Sequence, residues 1–216
     1  MAAKKAGKRG EDINLVAVSK TWNEDYILAA YKAGLRIFGE SKIQEALVKI
    51  NTLKSYHGIK FHFIGNIQSN KIKYFRANFE LIHSVDNIRI AQLLNNKCKE
   101  LNNYQNILIQ VNLLKEKQKS GIYENELNDL LIKIGSLPFL KVKGLMFIPP
   151  YKDNPEDNRE NFKKMYELFN YYKNRYNNDF KYLSMGMSDD FVIAIEEGSN
   201  MVRLGTKIFG YRAKEG

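Results

Sequence analysis

Val16-Ala17-Val18-Ser19-Lys20 decides how this chain is read: an apolar run closed by a serine and then a lysine. A lysine at the carboxyl end of an apolar strand is expensive to bury unless it is paired or deprotonated. That end is also where a closed barrel of parallel strands carries its chemistry. Seven more short apolar runs follow, and every run but the last leads into a helical pattern. The last, Met201-Val202-Arg203-Leu204-Gly205-Thr206, sets an arginine beside a Gly-Thr pair suited to a phosphate. Lysine at one end of the chain and Arg-x-Gly-Thr at the other point to one site for a phosphorylated aldehyde.

Working outward, Ile13 to Ser19 reads as a buried strand, and Asn23 caps a helix whose apolar positions Ile27, Leu28, Ala30 and Tyr31 recur until Gly34. Arg36 to Gly39 with the helix Ile43 to Ile50 makes a second unit, and Phe61 to Gly65 with the segment Gln68 to Ala77 a third. Leu81 to Val85 precedes a helix from Asn87 to Leu101, and Ile107 to Leu113 precedes one from Glu124 to Leu137. Val142 to Ile148 leads through a loop with Pro149, Pro150 and Pro155 into a long helix, Asn158 to Tyr176. Tyr182 to Met187 with the helix Asp190 to Glu197 is the seventh unit, and Met201 to Thr206 the eighth strand. Alternating strands and helices imply parallel pairing, and eight strands are what a (β/α)8 barrel of the TIM type needs. A doubly wound open sheet is the alternative, but no Gly-x-Gly-x-x-Gly follows the first strand. The ends look thin: only Lys207 to Gly216 follow strand eight and about a dozen residues precede strand one. The expectation is a shortened amino-terminal helix and an exposed apolar seam where a barrel strand needs a cover.

Composition narrows the class. No apolar run approaches the roughly 20 residues of a membrane span, and the basic amino terminus lacks the apolar core of a secretion signal. A single cysteine, Cys98, forbids an internal disulfide, which suits a reducing, cytoplasmic setting. The formal charge of +10 invites a nucleic-acid reading. The lysines are nevertheless spread along the chain, with neither zinc-finger spacing nor an aromatic RNA-binding strand, so no nucleic-acid or membrane partner is expected. Three histidines and one cysteine show no ligand spacing for a metal.

Ala17-Val18-Ser19-Lys20-Thr21, Phe38-Gly39-Glu40, His62-Phe63-Ile64-Gly65, Gln68-Ser69-Asn70-Lys71, Lys119-Ser120-Gly121, Gly144-Leu145-Met146, Ser184-Met185-Gly186-Met187-Ser188-Asp189-Asp190 and Arg203-Leu204-Gly205-Thr206-Lys207-Ile208-Phe209-Gly210 occur in that order between Gly7 and Arg212. Together they resemble the pyridoxal-phosphate homeostasis protein family, also called the YggS/PROSC family. The resemblance implies a single barrel like the amino-terminal domain of alanine racemase. Residues 1–12 would be a residual helix or arm, and 13–216 one barrel domain that binds pyridoxal 5′-phosphate (PLP) as a Schiff base on Lys20. It further implies a monomer that buffers or delivers PLP, with PLP-dependent apo-enzymes as recipients, and no established turnover. Ser41 stands where the family usually has asparagine after Phe-Gly-Glu.

In period two, Val16, Val18 and Lys20 share one face of strand one, and Met201, Arg203 and Gly205 one face of strand eight. If both faces point inward, Lys20 and Arg203 approach one ligand from neighbouring strands. Lys20 must be neutral to attack an aldehyde, and partial burial beside a cationic arginine favours that state; on spacing alone, a solvated surface lysine is the stronger reading. Arg203 at the pyridine nitrogen would keep it unprotonated and weaken the ring as an electron sink; pairing with a core carboxylate is the other reading. Phosphate falls to Ser188, Gly205 and Thr206, because the loops after strands seven and eight hold phosphate in many barrels. Ser188 also reads as a plain helix cap. Ser184, Met185 and His62 complete the expected cofactor set, with ordinary core as the alternative for Met185 and a satisfied core histidine for His62. Lys119, Ser120 and Gly121 read as a second anion site at the mouth or as a solvated cluster. The function expected is a non-catalytic PLP carrier. The alternatives are a PLP-dependent racemase, which needs a second base, and a lysine-dependent aldolase.

Overall fold

The computed structural model describes residues 2–7, 9–75, 78–176 and 179–211. Ala77, expected to end the third unit, and the residues from Arg212 on lie outside the described residues. Strands β1 (Asn14–Val18), β2 (Ile37–Glu40), β3 (Lys60–Phe63), β4 (Leu81–Val85), β5 (Gln105–Val111), β6 (Leu140–Phe147), β7 (Tyr182–Ser184) and β8 (Met201–Leu204) pair in parallel and in sequence order. The ring closes where Val16 of β1 lies opposite Arg203 of β8. The helices between them are α2 (Glu24–Lys32), α3 (Ile43–Thr52), α4 (Ile88–Glu100), α5 (Glu124–Gly135), α6 (Arg159–Lys173) and α7 (Phe191–Glu196). The third unit carries a 3-10 helix, Ser69–Tyr74, in place of an α-helix.

Two apolar layers follow from the strand period. Val16, Leu81, Leu108, Met146 and Met201 fill the lumen. Their strand neighbours Ala17, Phe38, Ile82, Ile107, Ile109, Leu145 and Leu183 join the larger cluster that packs under the helices. Helix starts are fixed locally, since Asn23 Oδ1 accepts from the Tyr26 N–H and Asn87 Oδ1 from the Ile90 N–H at 2.9 Å.

The seam between β1 and β8 is not left open as expected. A four-residue helix, α1 (Ala2–Lys5), and a single turn after β8, α8 (Thr206–Phe209), lie over it. Ala2, Ala3, Ala6 and Ile208 pack on Ile195, Val202 and Leu204, and Val202 is only 2% exposed. Alanine side chains let the short α1 approach closely, and Lys5 ties it to Glu196 of α7 at 2.9 Å. Ile13 and Leu15 stay half-buried.

Candidate functional site

Because Val16 and Met201 lie in the lumen, the strand period carries Val18 and Arg203 onto the inner face as well. Past the strand ends, a Cβ built on Gly205 would lie 3.7 Å from Val18 Cβ, so the end of β8 rests on the end of β1. The rings of Trp22 and Phe209 sit 5.8 Å apart and join the two following loops. From the β7 side, Ser188 Oγ accepts from the Gly205 N–H at 3.2 Å and the Lys207 N–H at 3.4 Å. The fold therefore brings Lys20, Ser188, Gly205 and Thr206 to one corner of the mouth. Lys20 and Thr206 are exposed there. The partial burial expected of Lys20 is not observed, since its strand has already ended at Val18. Ser188 belongs to a turn ahead of α7, not to a helix cap, and it joins that turn to the start of α8.

Arg203 lies one layer below, 4% exposed. Its Nη1 donates to Ser184 Oγ at 2.7 Å and to the Ser184 carbonyl at 2.9 Å, and its Nη2 to the Phe147 carbonyl at 3.0 Å. Burial pulls its pKa down to about 10, with Asp190 acting the other way, so it remains a cation at neutral pH. Beyond Ser184, His83 Nδ1 lies 3.1 Å from Ser184 Oγ, and His83 Nε2 lies 3.0 Å from His62 Nδ1. An arginine can only donate, so Ser184 Oγ accepts from Arg203 and keeps a lone pair and its own proton for the contact with His83 Nδ1. Between the two rings one nitrogen donates and the other accepts. Burial holds His62 down to about 3 and His83 well below its usual value, so both rings are neutral.

Three expectations need correction. His62 does not line the mouth; it lines a cavity of about 190 Å³ at the opposite end, with Asn14, Lys60 and Tyr182 at the starts of their strands. Met185 faces the helices in the main core, fully buried, because its neighbour Ser184 takes the lumen side. Ser184 acts through Arg203 and is itself fully buried. Lys119 reaches the mouth, where Nζ donates to Glu116 at 2.8 Å and to the Pro149 carbonyl at 3.1 Å, between two cavities of about 190 Å³ each. A groove of about 770 Å³ between α5 and α6 lies outside the barrel, away from all these residues. Sequence reasoning missed His83, whose signal was a polar residue in register with Leu81 on an apolar strand. It also gave no role to Lys49, a buried lysine on α3.

The alanine racemase N-terminal domain family matches residues 3–213. A pyridoxal phosphate homeostasis protein of Aquifex aeolicus is 41% identical over 211 residues, covering 98% of this chain and 92% of that protein. One from Synechocystis is 44% identical over 200 residues, 93% of this chain and 92% of that one. PipY of Synechococcus elongatus PCC7942, solved with PLP bound, superposes with a TM-score of 0.86 at 30% identity, covering 97% of this chain and all of PipY. The closed barrel, the mouth that collects Lys20 with the β7 and β8 loops, and these likenesses agree, and the chain belongs to the pyridoxal phosphate homeostasis proteins of the alanine racemase N-terminal domain family.

Proposed function

We propose that this protein binds PLP reversibly and holds it for PLP-dependent apo-enzymes, in the cytoplasm, without turning over a substrate. The observation that carries this reading is the mouth corner, where an exposed lysine follows the strand end that rests on Gly205, and the Gly205 and Lys207 N–H groups converge on one hydroxyl oxygen. These residues fit the cofactor: the Gly205 and Lys207 N–H groups, with Ser188 and Thr206 hydroxyls, offer donors for a phosphate. Arg203, cationic and in the layer beneath, is the donor for a ring nitrogen. PLP supplies an aldehyde whose oxygen leaves as water with both protons of a neutral amine as the C=N bond forms, and a phosphate anion.

Lys20 is the amine, and its exposure leaves it open to cofactor arriving and leaving. Arg203 cannot accept a proton, and Ser184 and the Phe147 carbonyl hold its guanidinium in place. A fixed donor at the ring nitrogen keeps electron density on the ring and disfavours carbanion chemistry. Among the described residues no helix is long and apolar enough to cross a membrane.

The test incubates PLP-loaded protein with alanine in deuterium oxide and then offers an apo-transaminase. The expected result is α-hydrogen exchange no faster than with Lys20→Ala, together with recovery of transaminase activity. Exchange that scales with protein concentration and disappears in Lys20→Ala makes the protein a racemase instead.

A further inference from the structure

Beside Lys20, on the outer side of the barrel wall, two buried charged groups and a third, partly exposed one stand together. Phe38 and Glu40 share the face of β2 that looks toward the helices, so Glu40 points away from the lumen and toward α3. Glu40 is fully buried and Lys49 is 4% exposed. The Lys49 ammonium has three N–H donors. All three are used: on the Ser19 carbonyl at 2.9 Å, Glu40 Oε1 at 2.9 Å and Glu45 Oε1 at 2.6 Å. Glu40 Oε1 also accepts from Ser19 Oγ at 2.6 Å, and Glu45 Oε1 from the Thr21 N–H at 2.6 Å. The residues on both sides of Lys20 are thus tied to one ion triad, two members of which are buried.

Two costs are located here. Thr21 is β-branched yet has φ of 68°, a left-handed conformation worth about 1–3 kcal/mol of strain that persists only when its surroundings over-determine it. Glu40 Oε2 is buried with no hydrogen-bond partner among the described residues, a further cost on the order of 1–3 kcal/mol. Buried ion pairs are poor stabilisers compared with apolar packing. A strained turn and an unpaired carboxylate oxygen therefore mark a place where geometry is being held at the expense of stability.

We propose that Glu40, Lys49 and Glu45 are positioning residues that clamp the Ser19–Thr21 turn and so fix how Lys20 presents its amine at the mouth. The clamp grips the backbone on either side of Lys20 from the outer face of the barrel wall. It rests on the reading of Lys20 as the aldehyde-capturing amine and adds to that reading the residues that set its reactivity.

Glu45 is the partner to remove, because its side chain is 26% exposed and its loss leaves the Glu40–Lys49 pair intact. In Glu45→Ala, amide hydrogen exchange at Thr21 is expected to accelerate and acetylation of Lys20 by acetic anhydride to change in rate, both without cofactor. Covalent capture of PLP on Lys20 is expected to slow on the order of tenfold, as a misplaced reacting group does. Affinity for pyridoxine 5′-phosphate, which has the ring and phosphate but no aldehyde, is expected to hold, and Glu45→Gln, which keeps an acceptor for Thr21, to restore the capture rate. Capture at the wild-type rate in Glu45→Ala overturns the clamp, and so does a fall in pyridoxine 5′-phosphate affinity matching the fall in capture rate. If the wild-type protein captures no PLP on Lys20, the proposed function fails, and Thr21 exchange and Lys20 acetylation still decide the clamp.

Discussion

His83 joins Arg203 to the far end of the barrel through Ser184. Burial holds both His62 and His83 neutral, and the Arg203 cation adds to this at His83. The unfolded chain binds protons on histidine below pH 6.5, while the folded His62 does not until about 3. The unfolded state therefore binds more protons across that window, and stability falls as pH falls from 6.5 toward 3. The slope is about 1.4 kcal/mol per pH unit for each histidine that protonates only on unfolding. Urea denaturation between pH 6.5 and 5 should show this decline against the opposing contribution of Glu40 and Asp190, which burial pushes up, and His62→Gln should flatten it. A wild-type decline no steeper than that of His62→Gln would mean the rings already carry their protons in the fold. Lys20 and Arg203 were legible in the sequence because a charge on an apolar strand is conspicuous by type. Lys49 was not, since Glu45 and Lys49 four apart on a helix look like any solvated pair until α3 is seen packed against β2.

At the level of elements, the eight strands and most helices could be read from periodicity, because strands buried on both faces and amphipathic helices leave strong patterns. Irregularities could not. β6 takes an extra residue against β5, where Ile107 pairs with Val142 but Ile109 with Leu145, and Gly144 at φ 145° occupies the bulge. The sequence shows Gly144 but not the partner it must avoid. Gly186 matters more for the site. Its φ is 95°, and a Cβ there would meet Ala194 Cβ at 2.6 Å, on the helix that follows the Ser188 turn. Gly186→Ala must push α7 or the turn aside, with a cost of about 1–3 kcal/mol from backbone strain alone. A lower melting temperature and weaker binding of pyridoxine 5′-phosphate are expected. Unchanged affinity in calorimetry would show that the turn carrying Ser188 takes no part in holding the phosphate.

For the molecule as a whole, closure of the sheet is what sets the strand leading to Lys20 beside the strand that carries Arg203, 183 positions away, since β1 and β8 are neighbours only in a ring. Closure was legible from the count of strands; the cover of the seam by α1 and α8 was not, because two single turns leave almost no periodic signal. A net charge of +10 favours the approach of anionic small molecules. The most direct measurement is borohydride reduction of the protein with PLP, followed by peptide mapping, beside Lys20→Ala. One reduced adduct on Lys20, absent from the variant, is the predicted result. Adducts scattered over the exposed lysines, and equal in Lys20→Ala, would contradict the assignment of the mouth corner as the cofactor site.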